Sequence, residues 1–233
     1  TQNTMEIFIP RFSRRQLMQL ALGGASALSA HGAFAEYLSK PPVLTPAQTE
    51  GPFYPDKLPL DTDNDLIVLN DSLTSAVGEV TYLSGRVLDA RGEPVRGALV
   101  EIWQCDAYGN YRHTRGANPQ GGQAPDSNFQ SFGRFLTGSN GEYLFRTIKP
   151  VPYPGRAPHI HMAIKRKGEP KFVTQCYIKG HAQNDTDGVI KGLKDKAQRE
   201  SVMVAFEQLK GSTAGELRAK FDVVLGFTPA EEQ

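Results

Sequence analysis

The chain has 233 residues, 26 Lys plus Arg against 25 Asp plus Glu, and a formal net charge of +1. A near-neutral chain offers no basic face, so nucleic acid and acidic membrane surfaces are excluded as expected partners. With 23 Gly and 16 Pro, it is too rich in turn formers for a helical bundle, and it is long enough to bury one β-domain core without disulfides.

Residues 12–18 read Phe-Ser-Arg-Arg-Gln-Leu-Met, a weakly apolar run extends from Leu17 to Ala30, and Ala33-Phe34-Ala35 follows as a small-x-small cleavage site. This is the order of a bacterial twin-arginine export signal. Residues 1–35 are therefore expected to be removed, leaving a periplasmic or secreted protein that begins near Glu36 and has no membrane contact. Residues 36–78 carry Pro41-Pro42, Pro46, Gly51-Pro52, Pro55 and Pro59, and are expected to wrap the surface as an irregular segment. The catalytic domain is expected over 79–233.

Val80 to Asp89 reads as a strand, Ala90-Arg91-Gly92-Glu93-Pro94 as a turn, and Gly97 to Cys105 as the return strand. Asp106 to Asn128 is a long polar loop. Phe132 to Thr137 and Tyr143 to Ile148 flank Ser139-Asn140-Gly141-Glu142, whose Asn-Gly centre predicts a hairpin. Pro150 to Pro158 is a loop, and His159 to Lys165 and Phe172 to Ile178 are strands either side of a turn. Residues 196–209 predict the one helix, with Val202, Ala205, Phe206 and Leu209 on one face, and Leu217 to Leu225 predicts a last strand. About seven strands and one short C-terminal helix make an all-β sandwich. Cys105 and Cys176 are expected as buried free thiols, although an oxidising compartment would also allow them to pair. Trp103 is expected in the core, and His113 and His181 in solvated loops.

His159-Ile160-His161 carries the sharpest chemical signal. Side chains at i and i+2 of a strand point the same way, so both imidazoles project from one face. Tyr153 lies six residues upstream in Pro152-Tyr153-Pro154, where the prolines stiffen the backbone. Tyr111 follows the end of the second strand. Two tyrosines with two histidines, and no acidic residue beside the pair, suit a hard trivalent ion such as Fe(III), because phenolate is a hard anionic donor.

Six ordered stretches between residues 83 and 177 extend this signal. They include Leu-Ser-Gly-Arg-Val-Leu-Asp-Ala-Arg-Gly-Glu-Pro-Val (83–95), Val-Glu-Ile-Trp-Gln-Cys-Asp-Ala-Tyr-Gly-Asn-Tyr-Arg-His (100–113) and Tyr-Pro-Gly-Arg-Ala-Pro-His-Ile-His (153–161). Gly-Arg-Phe-Leu-Thr (133–137), Thr-Ile-Lys-Pro (147–150) and Thr-Gln-Cys-Tyr (174–177) complete the set. Together they resemble the catalytic core of the intradiol ring-cleavage dioxygenases, above all the iron-binding chain of the protocatechuate 3,4-dioxygenase type. The resemblance implies a transthyretin-like β-sandwich and one Fe(III) per chain, held by Tyr111, Tyr153, His159 and His161. It implies an aromatic diol and O2 as substrates and a cis,cis-muconate-type diacid as product. Tyr153 would leave the metal when the diol binds, and Arg156 and Gln175 would flank the reacting ring. Residues 45–54, Thr-Pro-Ala-Gln-Thr-Glu-Gly-Pro-Phe-Tyr, resemble the family's segment over the pocket, with Gly51 and Pro52 as substrate contacts.

Only Pro154 to Pro158 separate Tyr153 from the histidines, which leaves the choice of diol open. A homo-oligomer is also left open. Two rival readings remain: a non-catalytic transthyretin-like binding module, and a periplasmic zinc or copper protein using His159 and His161 alone.

Overall fold

The computed structural model describes residues 41–69, 73–115 and 123–227. The export-signal expectation falls on residues 1–35, outside the described residues. Ten strands occur among the described residues: β1 (Val80–Leu88), β2 (Leu99–Trp103), β3 (Phe132–Leu136), β4 (Glu142–Ile148), β5 (His159–Lys165), β6 (Phe172–Ile178), β7 (Met203–Val204), β8 (Phe206–Gln208), β9 (Leu217–Lys220) and β10 (Val223–Val224). Two short helices, α1 (Gly188–Gly192) and α2 (Lys196–Ser201), follow a 3-10 turn at Ala182–Asp185.

The strands form two five-stranded sheets, as a sandwich requires. In the first, β1 pairs antiparallel with β4 on one edge and parallel with β9 and then β10 on the other, while β8 extends β9. The second runs β3-β2-β5-β6-β7. Leu83, Val87 and Phe145 of the first sheet and Val100, Ile102, Ile160, Met162 and Cys176 of the second meet in the core between them. No helix among the described residues is long and apolar enough to cross a membrane.

Four local expectations are corrected. The Asn140-Gly141 turn does not close a hairpin, because β3 pairs with β2 while β4 pairs with β1. It is a corner that carries the chain from one sheet to the other, and burial of both strands' apolar faces chooses their partners over local turn chemistry. The same holds for the turn after β1, since β2 is a strand of the opposite sheet. The expected helix over 196–209 stops at Ser201: Val202 and Val204 are buried and Ala205 is exposed, a strand's alternation, which β7 and β8 use to extend the two sheets. Leu217 to Leu225 divides into β9 and β10 around Phe221-Asp222, where Phe221 N–H bonds Ser84 O and Asp222 accepts from Arg86 N–H.

Cys105 and Cys176 are buried free thiols. Cys176 packs in the inter-sheet core and Cys105 in a second apolar cluster with Trp103 and Tyr111, so the second sheet separates them.

Residues 62–66 close one side of the sandwich. Arg134 N–H of β3 bonds Thr62 O, Arg146 N–H of β4 bonds Asn64 O, and Leu66 N–H bonds Arg146 O, each at 2.8–2.9 Å. This segment fits against β3 because residue 133 is glycine: a Cβ there would sit 2.6 Å from Leu66 Cδ1 and 2.7 Å from Asp63 O. Gly133→Ala is expected to destabilise the protein by about 2–3 kcal/mol, read as a lowered urea midpoint with an unchanged slope.

Candidate metal centre

The donors stand on the outer face of the second sheet. Residues opposite each other in an antiparallel pair share a face, and the register places Phe132, Trp103, His161 and Gln175 in one cross-strand row, with His159 opposite Tyr177 in the next. Ile160 and Met162, between and beside the histidines, point into the core.

Two loops bring the tyrosines to this face. Asp106 folds the first by accepting Tyr108 N–H and Asn110 N–H, each at 2.9 Å, so that Tyr111 turns back over the sheet. The second is the turn Tyr153-Pro154-Gly155-Arg156, closed by Arg156 N–H to Tyr153 O at 2.9 Å. Gly155 at φ 78° supplies the left-handed third position that such a turn needs after proline. The turn sets Tyr153 and Arg156 side by side.

All four predicted donors converge. His159 Nε2 is 3.1 Å from His161 Nε2 and 3.4 Å from Tyr153 Oη. The Tyr111 ring lies 5.9 Å from that of Tyr153 and 6.2 Å from that of His161. His159 Nδ1 is 2.6 Å from Ala157 O, so it carries the ring proton and leaves the Nε2 lone pair facing the centre. Burial, reinforced by the Arg156 charge, holds His159 down at about 3. Burial likewise pushes His161 well down and Tyr111 well up, and it raises Tyr153 despite nearby Arg156. Two neutral imidazoles and two buried phenols are thus gathered with little to satisfy them. Tyr111 Oη and His161 Nδ1 are buried and make no hydrogen bond. Among the described residues no three His, Cys, Asp or Glu side chains cluster as a metal site. A hard cation fits this donor set, because it would take up the imidazole lone pairs and favour ionised phenols.

Arg156 borders the donors. Its Nη1 donates to Tyr153 Oη at 3.4 Å and its Nη2 to Gln175 Oε1 at 2.5 Å. Gln175 is buried and also donates to Thr49 O at 2.9 Å. Sequence reasoning missed what fixes the guanidinium: Asp187, buried at the N-terminus of α1, accepts Arg156 Nε–H and Ala157 N–H, both at 2.8 Å. Its other oxygen caps α1 by accepting Val189 N–H and Ile190 N–H. Burial would raise this carboxyl, but the Ala157 amide and the Arg156 charge outweigh it and hold it below its usual range. Asp187-Gly188 before Val189-Ile190 is a helix-cap pattern, the one local signal for it. Tyr177 was also missed; its hydroxyl donates to Gln175 Oε1 at 2.8 Å and accepts from Gln48 Nε2 at 3.0 Å.

Residues 45–54 lie over the donors. Gln48 N–H bonds Val173 O, and Gln48 Oε1 accepts Gln175 N–H. A Cβ on Gly51 would stand 3.4 Å from His161 Cε1, whereas Pro52 is exposed. Phe53 stacks on Tyr111 at 4.5 Å, and Trp103 lies flat on His161 at 4.8 Å and 8°. Trp103 is a buried packing residue as expected, in the second apolar cluster, where it lies against the His161 ring. His113 and His181 are partly exposed loop residues, each with one contact to the backbone. His113 Nε2 is 2.6 Å from Gln130 O, and His181 Nδ1 accepts Gln183 N–H at the 3-10 turn.

Comparison with known proteins gives one consistent picture. A family model described as Dioxygenase matches residues 49–226. The chain is 36% identical over 160 residues, 64% of its length, to the protocatechuate 3,4-dioxygenase beta chain of Burkholderia cepacia, of which the match covers 65%. It is 27% identical over 209 residues, 78% of its length, to the hydroxyquinol 1,2-dioxygenase of Corynebacterium glutamicum, covering 63% of that protein. It thus spans less than two thirds of either relative. Among solved structures, the dioxygenase domain of a dioxygenase and carbohydrate-binding protein fusion from Streptomyces sp. SirexAA-E superposes with a TM-score of 0.58 at 27% identity, over 80% of this chain and all of that one.

Asp187→Ala would leave Arg156 without its buried counter-charge. It is expected to destabilise the metal-free protein by about 3–5 kcal/mol in chemical unfolding, and a change below 1 kcal/mol would show that the pair is not a structural anchor.

Proposed function

The chain belongs to the intradiol dioxygenases, and from that premise we propose that it is a non-haem Fe(III) enzyme that inserts both atoms of O2 into a catechol-type diol. The bond between the two hydroxylated carbons breaks, and each carbon ends as a carboxylate of a cis,cis-muconate-type diacid. The diol supplies all the electrons, so no external reductant is required. The observation that carries this reading is the convergence of two buried phenols and two imidazole Nε2 atoms, with Tyr111 Oη unpartnered among them.

Tyr111, Tyr153, His159 and His161 would hold the iron, which when bound draws electron density from the diol and so opens its ring to O2. The chain's own groups do the rest. Tyr153 sits on a turn rather than in a strand, which suits a phenolate that takes a proton from the incoming diol at its Oη and swings aside. Arg156 is permanently charged and would stabilise negative charge building on the ring. Asp187 and Gln175 keep the guanidinium aimed, and residues 48–54 would restrict water. Gly51 would line the diol's space beside His161, with Pro52 at its mouth.

Catechol, protocatechuate and hydroxyquinol are the compact members of the proposed substrate class. The paired arginines Arg14-Arg15 and the Ala33-Phe34-Ala35 site support export, with residues 36–78 as a wrapping segment and 79–233 as the catalytic domain. The binding-module and zinc or copper readings leave the gathered tyrosines without a purpose.

Iron-loaded protein is expected to be wine-red from phenolate-to-Fe(III) charge transfer, and the band to move to longer wavelength with anaerobic catechol. A colourless iron-bound protein, or a band unchanged in both Tyr111→Phe and Tyr153→Phe, would sink the assignment. Arg156→Ala is expected to lower kcat about 100-fold with the colour retained. Arg156→Lys should recover little of that loss, since an ammonium cannot reproduce the guanidinium's fork.

A further inference from the structure

One row along the same sheet face from Trp103 and His161 stands Glu101, fully buried. Its Oε1 accepts Arg134 Nε–H at 3.0 Å and Nη2–H at 2.8 Å. Its Oε2 accepts Lys165 Nζ–H at 2.8 Å and Tyr54 Oη–H at 2.9 Å. Lys165 Nζ lies 3.1 Å from the same tyrosine oxygen. The ammonium groups of Lys165 and Lys171 stand 5.3 and 5.0 Å from the centroid of the Tyr54 ring, and Lys171 also pairs with Glu50. A carboxylate taken fully out of water is expensive to keep charged, and none of its contacts is a proposed iron donor. Besides Arg134 and Lys165, it holds Tyr54.

Tyr54 leads to the centre in two steps. Its ring meets Trp103 edge-on at 5.1 Å and 86°, and Trp103 lies flat on His161. The preceding residue, Phe53, stacks on Tyr111 and meets Tyr153 edge-on at 5.9 Å. Anchoring Tyr54 by its hydroxyl therefore fixes an aromatic pair that presses on Tyr111 and Tyr153 directly and on His161 through Trp103. The geometry points to Glu101 as a positioning residue of the metal centre. Through Tyr54 it locks residues 48–54 over the donors and keeps the His161 ring in its plane. This inference rests on the iron reading above for the identity of the centre, but the lock itself exists without metal.

Trp103 is the only tryptophan in the chain and is 1% exposed, so its fluorescence reports the lock in metal-free protein. Glu101→Gln and Tyr54→Phe are compared with Tyr82→Phe, which loses a like bond (Tyr82 Oη to Glu216 Oε1, 3.0 Å) in the other sheet. Acrylamide quenching of Trp103 is expected to rise about threefold or more in the first two variants, by local opening, and to stay at the wild-type value in Tyr82→Phe. Iron-loaded forms of the first two should lose iron to a chelator about tenfold faster. Wild-type quenching in Tyr54→Phe overturns the lock, and so does an equal rise in Tyr82→Phe. If Glu101→Gln does not fold, Tyr54→Phe alone decides, because it removes one hydroxyl and keeps the ring. Raised quenching in a protein that takes up no iron would sink the dioxygenase reading and leave Glu101's hold on Trp103 standing. Unchanged quenching in a protein that binds iron would do the reverse.

Discussion

The period of two along β5 is the constraint on which the rest depends. Because Ile160 and Met162 must enter the core, His159 and His161 must leave it. The proposed metal donors consequently stand on the outside of the sandwich, on a face that no other sheet among the described residues covers. A buried centre there has to be roofed by irregular chain. The loops bearing Tyr111 and Tyr153 supply the remaining donors, and residues 45–54 supply the roof. Both are built from turn chemistry and side-chain hydrogen bonds rather than from strand pairing.

The charged groups follow from that arrangement. Arg156 can be aimed at the donors only if its charge is balanced where water is scarce. Asp187 balances it and at the same time caps α1 and holds the Ala157 amide. Ala157 O in turn orients His159. The backbone of one short loop thus connects the guanidinium's counter-charge to the tautomer of a donor ring, so the electrostatics and the geometry of the centre are set together.

Much of this was legible in the residues. Strand alternation paired His159 with His161, Pro152-Tyr153-Pro154 marked a stiff loop, and the alternating apolar runs marked six of the ten strands closely. Partners across the sandwich were not legible. Asn140-Gly141 makes the same tight turn whether the next strand returns to its neighbour or crosses to the other sheet, and only burial of Tyr143 and Phe145 decides. Val202 to Leu209 satisfied helical spacing, yet sheet edges were waiting for it. Asp187 and Glu101 escaped notice because a lone acidic residue has no periodic signature; its meaning lies in the cations brought to it from residues 31 and 33 positions away in the chain.

The segment 62–66 has a bearing on how these molecules meet each other. A sandwich ordinarily ends in strands whose outer amides and carbonyls are free to recruit a neighbouring chain. Here the outward-facing backbone of Arg134 in β3 and of Arg146 in β4 is already spoken for by Thr62, Asn64 and Leu66. A second molecule seeking to add a strand at that side would first have to peel away a stretch anchored by the fully buried Leu66 and Ile67. The stretch that covers one side of the sandwich thereby also blocks edge-to-edge pairing there.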